Sequence, residues 1–440
     1  MKKLSLSLYT MLLIGVIMIW VSSNLNWSKE NWHGIIAVDA TGYYAYLPAT
    51  FIYKDPNFQF LDTVCRKKYN HKFHDYEYRV LNNDRLTNKY FIGTAVLQSP
   101  FFLIAHGLSF LLGEDSDGYS KIYMVLLQIG TVFYLLLGLF YFNKLLGEYK
   151  ISTAVKIFSL IVITFGTNLF HYVVEEPGMS HVFSFSFFAM FAFYIKRYFT
   201  SYKTQYLLKI GLILGIILLI RPINGLIILS IPFLAGWKNL KIGVIKAVGK
   251  YYFLAFSFFI ILLVLTLQPL FYYWGTNEFW IYSYGDESLD LLNPNVYNIL
   301  FSYKKGLFLY TPVYLMSLFG FWTLWKKNRF QALTGFLFLF SVTYILSSWW
   351  QWYYGGSFSS RVFIEYLPFF GLLFALFSQS IWRMKWKRKT WLGVILLLVV
   401  VCQLQTYQYR RGQIHWSEMT EEKYWDVFLG WKKVFGTNER

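Results

Sequence analysis

The sequence predicts an all-α, polytopic membrane protein, and three observations carry that prediction. Of 440 residues, 56% are hydrophobic and 22% aromatic, against 15% charged. The apolar residues fall into repeated runs near twenty residues, about the length a helix needs to cross a bilayer core. Short basic stretches separate those runs, the pattern of loops held on the cytoplasmic side.

Apolar runs lie at 4–22, 94–112, 120–142, 151–170, 179–195, 206–220, 222–237, 251–274, 306–325, 330–348, 362–380 and 390–408. The first, Leu4 to Trp20 after Lys2-Lys3, has the layout of a signal peptide. No small-residue cleavage site follows and many further runs do, so it reads as a retained anchor. The formal net charge of +18 would suggest nucleic acid in a soluble chain. Here much of it sits in short loops, which favours anionic lipid headgroups and excludes nucleic acid as the expected partner. The two cysteines, Cys65 and Cys402, are far apart and give neither a disulfide framework nor a zinc spacing. No repeat or low-complexity linker divides residues 1–440, which read as a single integral domain.

The basic loops set the orientation. Lys2-Lys3, 143–150, 196–203, 238–250, 326–329 and 383–389 are all expected in the cytoplasm. Counting every run as a span puts the loops from 143 onward on the wrong face. Leaving 94–112 out of the count returns every one of them inside. That segment carries Gln98, Pro100 and His106 and runs into the acidic stretch 113–118, as suits a helix lying in or dipping into the outer interface. The expected topology therefore has eleven spans, N-terminus inside and C-terminus outside. Residues 23–119 form a large first extracytoplasmic loop containing interfacial helices, 275–305 a second outer loop, and 409–440 a short outer tail. Arg410-Arg411 and the basic stretch 66–89 lie outside against the charge rule, and 206–220 and 222–237 are short for full spans.

In that topology the outer face gathers Asp39, Lys89, Glu175, Glu176, His181, Arg221, Lys304, Lys305, Arg361 and Glu365. Ionisable groups at a bilayer boundary are costly and usually line a cavity or pathway. Singly, each has an ordinary reading beside a functional one. Asp39 suits a helix cap or turn before Thr41-Gly42 as well as a catalytic carboxylate. Arg221, before Pro222, suits a cation snorkelling to lipid phosphate. Arg361 and Glu365, four apart, suit a local ion pair, and Lys304-Lys305 interface anchors. Trp349, Trp350 and Trp352 with Tyr353-Tyr354 suit an aromatic belt or a sugar platform. His181 after Glu175-Glu176 is a satisfied core histidine or one member of a divalent-metal site. The loop residues His71, His74, Asp75 and Glu77 suit acceptor binding or a solvated surface. As a set, several cations near one leaflet fit a phosphate, and a carboxylate facing them fits removal of a proton from an attacking hydroxyl. No P-loop, Gly-x-Ser-x-Gly elbow or His-Glu-x-x-His pair is present in the sequence.

The stretch Asp39 … Gly42-Tyr43-Tyr44-Ala45-Tyr46-Leu47-Pro48, shortly past the first span, resembles the GT-C superfamily of membrane glycosyltransferases. The nearest resemblance is to family 39 protein mannosyltransferases and the aminoarabinose transferases of lipid A. Four later stretches are similar in order: Asn88 to Gly93 with Pro100-Phe101-Phe102, Gly166-Thr167-Asn168 to His181, Lys305 to Pro312, and Trp349 to Arg361. The resemblance implies a GT-C-like helical bundle in the bacterial cytoplasmic membrane, with the active site facing the periplasm or cell exterior. It implies Asp39 as catalytic base and a polyprenyl-phosphate sugar as donor. Tyr43, Tyr44, Lys89, Glu175, Glu176, His181, Arg221, Lys304, Lys305, Arg361 and Glu365 are then the expected substrate-binding residues. Many relatives have Asp-Gly where this chain has Asp39-Ala40, and the metal-assisting acid is represented only by Glu175, Glu176 or His181. A cofactor metal is therefore open, with Asp39, Glu176 and His181 as candidates, and Asp39 acting alone is favoured. Acceptor recognition, of a lipid, glycan or protein, falls to loops 53–92 and 275–303. The expected function is transfer of a sugar to an acceptor hydroxyl at the outer face, with inversion. The alternative, a flippase for lipid-linked glycan, would show repeats, broken helices or central charges.

Overall fold

The computed structural model describes residues 5–69 and 76–429, so His71, His74 and Asp75 lie outside the described residues. The described chain is overwhelmingly helical. Six helices are long and apolar enough to cross a membrane: Leu6–Asn26, Gly93–Leu112, Lys121–Glu148, Tyr251–Thr276, Arg329–Ser347 and Lys385–Arg410. A bent pair, Pro222–Ala235 with Trp237–Val248, turns through 117° and makes a seventh if it counts as one span. Thr153–Phe165, Gln205–Ile220 and Leu367–Ile381 are apolar but shorter. The interfacial assignment of 94–112 thus falls on a helix with the length and composition of a span. Its twenty residues rise about 30 Å, the thickness of a bilayer core.

The described residues form two compact units, one drawn from 11–145 and 172–286, the other from the start of the first helix, 146–171 and the chain after 286.

At the heart of the first unit runs Ser180–Ser201, whose serines and alanines alternate with phenylalanines so that most of its length is buried. Beside it, Gln205–Ile220 crosses Tyr251–Leu265 at very short range. The reason is Gly211-x-x-x-Gly215, two glycines one turn apart. A Cβ on Gly211 would lie 2.7 Å from the carbonyl oxygen of Ser257, and Ser257 Oγ donates to the carbonyl of Leu207 at 2.9 Å. Small residues of this kind let apolar helices associate where lipid removes the hydrophobic drive. Gly211→Leu is expected to destabilise the unit by about 1–3 kcal/mol through overpacking. Ser257→Ala should cost only about 0.6 kcal/mol. Both are read as loss of thermal stability in detergent. The outer side of Tyr251–Leu265 shows Phe256, Phe258, Phe259, Leu262 and Leu263 to the surroundings, an apolar face suited to lipid.

The expected run 222–237 is not a regular α-helix. Pro222 lacks an amide donor, and Pro222–Ser230 winds as a 3-10 helix before Ile231–Ala235. Gly236, at φ 74°, then turns the chain into Trp237–Val248. The run 306–325 is likewise cut, at Thr311-Pro312, into Leu307–Tyr310, Val313–Ser317 and Phe319–Lys327.

The first loop contains a β-hairpin that hydropathy does not reveal. Arg79–Asn82 pairs antiparallel with Arg85–Asn88, Asn82 opposite Arg85. Asn83 and Asp84 turn it with φ 45° and 61°, the positive angles a two-residue hairpin of type I′ demands and Asn and Asp tolerate. Below it Arg79, nearly buried, donates to both Asp62 and Glu77, and Arg66 bridges the same two acids. The Arg79 hydrogen bond holds the Asp62 carboxyl below its usual range. Glu77 is raised by partial burial, but the bonds from Arg79 outweigh that and lower it on balance. A depressed carboxyl contributes stability above its unfolded pKa and loses it as pH falls through the folded one. The hairpin should therefore hold at neutral pH and loosen below about pH 4. Since both acids are half exposed, screening keeps the effect modest. Limited proteolysis across that pH range is the check, and Arg79→Ala should abolish the pH dependence.

In the second unit, Val162, Val313, Phe374, Trp391 and Ile395 make one buried cluster. A second comprises Tyr310, Phe358, Ile414, Met419 and Tyr424 and holds the tail helix Glu421–Leu429. That helix is fastened by Tyr303 Oη to Glu421 at 3.0 Å and by Gln405 Nε2 to Tyr424 Oη at 3.0 Å.

Candidate active site

Asp39 is the first residue of the short helix Asp39–Pro48, whose positive end favours a carboxylate. Val38 before it sits at φ 52°, ψ −128°. For a β-branched residue that is a strained conformation, of the kind that persists when surrounding structure enforces it and that clusters at active sites. Asp39 is half-buried, and Tyr90 Oη donates to its Oδ1 at 2.7 Å. Burial first, and then the Asp39 charge, push the Tyr90 phenol well above its ordinary range, so it remains a neutral donor. Tyr76 Oη lies 2.6 Å from Tyr90 Oη, and the ring of Tyr43 packs on that of Tyr90 at 4.7 Å. Asn88 completes the mount. Its side chain donates to the carbonyl of Gly42 at 2.8 Å and accepts from the Tyr90 amide at 3.0 Å. Gly42 has to be glycine, because a Cβ there would lie 2.4 Å from the Tyr90 ring.

Tyr44 belongs to the wall behind. It is buried, its hydroxyl donates to the Gly118 carbonyl at 2.5 Å, and its ring meets Phe102 and Tyr119 edge-on. Lys89 is partly exposed, with its ammonium 5.4 Å from the Tyr284 ring centre and its carbonyl held by Ser283 Oγ at 2.8 Å.

The turn Glu175–Gly178 is clamped from three helices. Gln128 Nε2 and Asn26 Nδ2 donate to the carbonyl of Val174 at 2.8 and 2.5 Å, and Trp27 fixes Gln128. Thr131 Oγ1 donates to Pro177 at 2.7 Å, and Gln98 Nε2 to Gly178 at 3.2 Å. Gly178 rests on Ala40, where a Cβ would come within 2.7 Å of the alanine methyl. The half-buried Glu175 and Glu176 are thereby carried to the start of the Asp39 helix. His181 is buried a turn further on, edge-on to Tyr172 at 5.2 Å. Gly93, three residues past Tyr90, presses on the backbone of Leu219 and Ile220, which brings Arg221 to the same end of the unit. Asp39 and Tyr43 touch Tyr90, Lys89 precedes it in the chain, and the contacts of Gly178 with Ala40 and of Gly93 with Ile220 bring the segments carrying Glu175, Glu176 and Arg221 to these elements.

Lys304, Lys305, Arg361 and Glu365 belong to the other unit. Lys305 is buried and donates to the carbonyl of Ser357, with the Tyr409 ring 5.6 Å away. Ser360 Oγ ties the carbonyls of Ile299 and Lys305, each at 2.8 Å. Arg361 and Glu365 are buried one turn apart, ahead of Leu367–Ile381. Lys304 is partly exposed and stands 3.5 Å over the Tyr353 ring. An apolar groove of about 160 Å³, lined by Leu307, Phe308, Phe336, Phe340, Phe363 and neighbours, opens directly after Lys304–Gly306 in the chain.

Tyr90, Tyr76, Asn88 and Gln98 are the participants that residue-type reasoning passed over. The signals available were the stretch Asn88 to Gly93 that carries part of the resemblance and the polar Gln98 within 94–112. Among the described residues no three His, Cys, Asp or Glu side chains come together as a metal site. No protein-family model matches the sequence, and no curated protein matches it.

Proposed function

We propose that the chain is a membrane glycosyltransferase that moves a sugar from a polyprenyl-phosphate donor to an acceptor hydroxyl on the outer face of a bacterial cytoplasmic membrane, in an eleven-span topology. The observation that carries this reading is the mounted carboxylate. Asp39 stands at a helix N-terminus after a strained residue, fixed by a neutral tyrosine, with Lys89 and Arg221 at the same end of the unit. That is the equipment for taking a proton from an acceptor hydroxyl while cations bear phosphate charge.

In this mechanism Asp39 removes the hydroxyl proton as the oxygen attacks the anomeric carbon from the face opposite phosphate. The new glycosidic C–O bond forms as the bond to phosphate breaks, the configuration inverts, and the polyprenyl phosphate departs. Lys89 and Arg221 stabilise its charge.

The test pairs two assays on proteoliposomes, sugar transfer from a polyprenyl-phosphate sugar and flipping of a fluorescent lipid-linked glycan. Mass spectrometry of the lipid that copurifies accompanies them. Transfer without flipping, with a sugar-phosphate polyprenyl lipid bound, is the expected result. Flipping without transfer would overturn the assignment in favour of a transporter.

A further inference from the structure

A basic cavity lies well away from Asp39 in sequence. It is lined by Tyr202, Lys203, Thr204, Gln205, Ile245, Lys246, Gly249, Lys250 and Phe253 and encloses about 850 Å³. Three of those nine residues are lysines and none is acidic. Two helices of ordinary length, Gln205–Ile220 and Tyr251–Leu265, begin at its wall and turn their positive ends toward it. Lys246 stands 4.5 Å over the Tyr202 ring, which fixes one cation at the rim, and Tyr202 Oη is held by Asn239 at 3.0 Å.

One wall of the cavity is the helix Trp237–Val248, turned 117° from Pro222–Ala235 before it and supplying Ile245 and Lys246. It carries Lys238, Lys241 and Lys246 and leaves Trp237, Val244, Ile245 and Val248 exposed. A mixed basic and apolar surface of this kind suits a helix lying in the membrane interface. It is pinned by Gly243, whose carbonyl accepts from Tyr198 Oη at 2.7 Å and whose Cα meets the Phe199 ring so closely that a Cβ would fall 2.4 Å from it. Beyond the rim, Tyr251, Tyr252 and Leu254 extend the exposed apolar surface along the next helix. The cavity thus has cations where a phosphate would sit and apolar side chains where acyl chains would run.

We propose that this cavity is a binding site for the headgroup of an anionic phospholipid in the inner leaflet. Both basic stretches that contribute to it, 196–203 and 238–250, are among those expected to orient the chain, so headgroup capture and orientation would draw on the same lysines. A soluble phosphate compound would use the lysines and leave the adjoining apolar surface unused.

The experiment uses the full chain in nanodiscs of phosphatidylcholine with a minority of phosphatidylglycerol, and native mass spectrometry counts the phosphatidylglycerol retained after delipidation. A K203Q/K246Q/K250Q variant should retain at least about tenfold less, each lysine being worth roughly fivefold near an anionic surface. A K326Q/K327Q/R329Q variant, which removes three cations elsewhere, should match the wild type. If the triple variant does not fold, Lys246→Gln alone is read, with a smaller loss expected. Equal retention by wild type and pocket variant overturns the site, as does an equal loss in the control. Displacement of the lipid by inorganic phosphate or glycerol phosphate at millimolar levels overturns the lipid assignment in favour of a soluble anion.

Discussion

Asp39→Asn will abolish sugar transfer while leaving expression, folding and donor-lipid binding near wild type. Asparagine keeps the size of the side chain and can still accept from Tyr90, but it cannot take a proton. A positioned general base is worth roughly 10²–10⁴-fold in rate, and that is the loss expected in single-turnover assays on purified protein. Tyr90→Phe removes the hydroxyl that fixes Oδ1. A hydrogen bond to a charged group contributes about 1.5–3 kcal/mol, so this variant should lose roughly ten- to a hundredfold and retain lipid binding. Normal turnover in Asp39→Asn would place the base elsewhere. Asp39→Asn losing lipid binding along with turnover would make the residue a structural one.

Gly178→Ala should damage stability and activity together, and Ala40→Gly should rescue both. The added methyl has no room, since it would stand 2.7 Å from the methyl of Ala40. Removing the second methyl restores the gap. Overpacking of this kind costs about 1–3 kcal/mol, here at a turn held by Gln98, Gln128 and Thr131, whose own positions are fixed. Two residues in direct contact should be strongly non-additive, and the double variant should return most of the lost thermal stability. Additive losses would show that Ala40 and Gly178 are not packed on each other.

The helical class was legible because hydropathy runs report burial in lipid directly, and the expected runs 4–22 and 390–408 fall within five residues of the limits of Leu6–Asn26 and Lys385–Arg410. Where a run hides a Pro or Gly, as at Pro222, Gly236 and Pro312, composition alone does not say whether the helix continues, bends or winds as 3-10. The hairpin at 79–88 was missed because its strands are four residues each and partly polar, with only Asn83-Asp84 as a signal. Asp39 was legible as a lone carboxylate beside aromatics. Its mount was not, because Tyr90 lies 51 residues away and the contact is purely tertiary. Lys305 reads in sequence as an outer-face cation. In the fold it is a buried fastener between two loop segments, and its neighbour Lys304 is the one left partly exposed.

The backbone at Val38 has a consequence for any attempt to evolve or engineer this chain. At φ 52°, ψ −128°, valine occupies a region where glycine would sit without steric penalty. A selection for heat resistance alone would therefore be drawn to Val38→Gly, adjacent to the carboxylate, and would recover hardier protein with slower turnover. Selection on the proposed transfer reaction itself would keep valine. The two regimes should diverge at this codon first, and deep mutational scanning under both would show it.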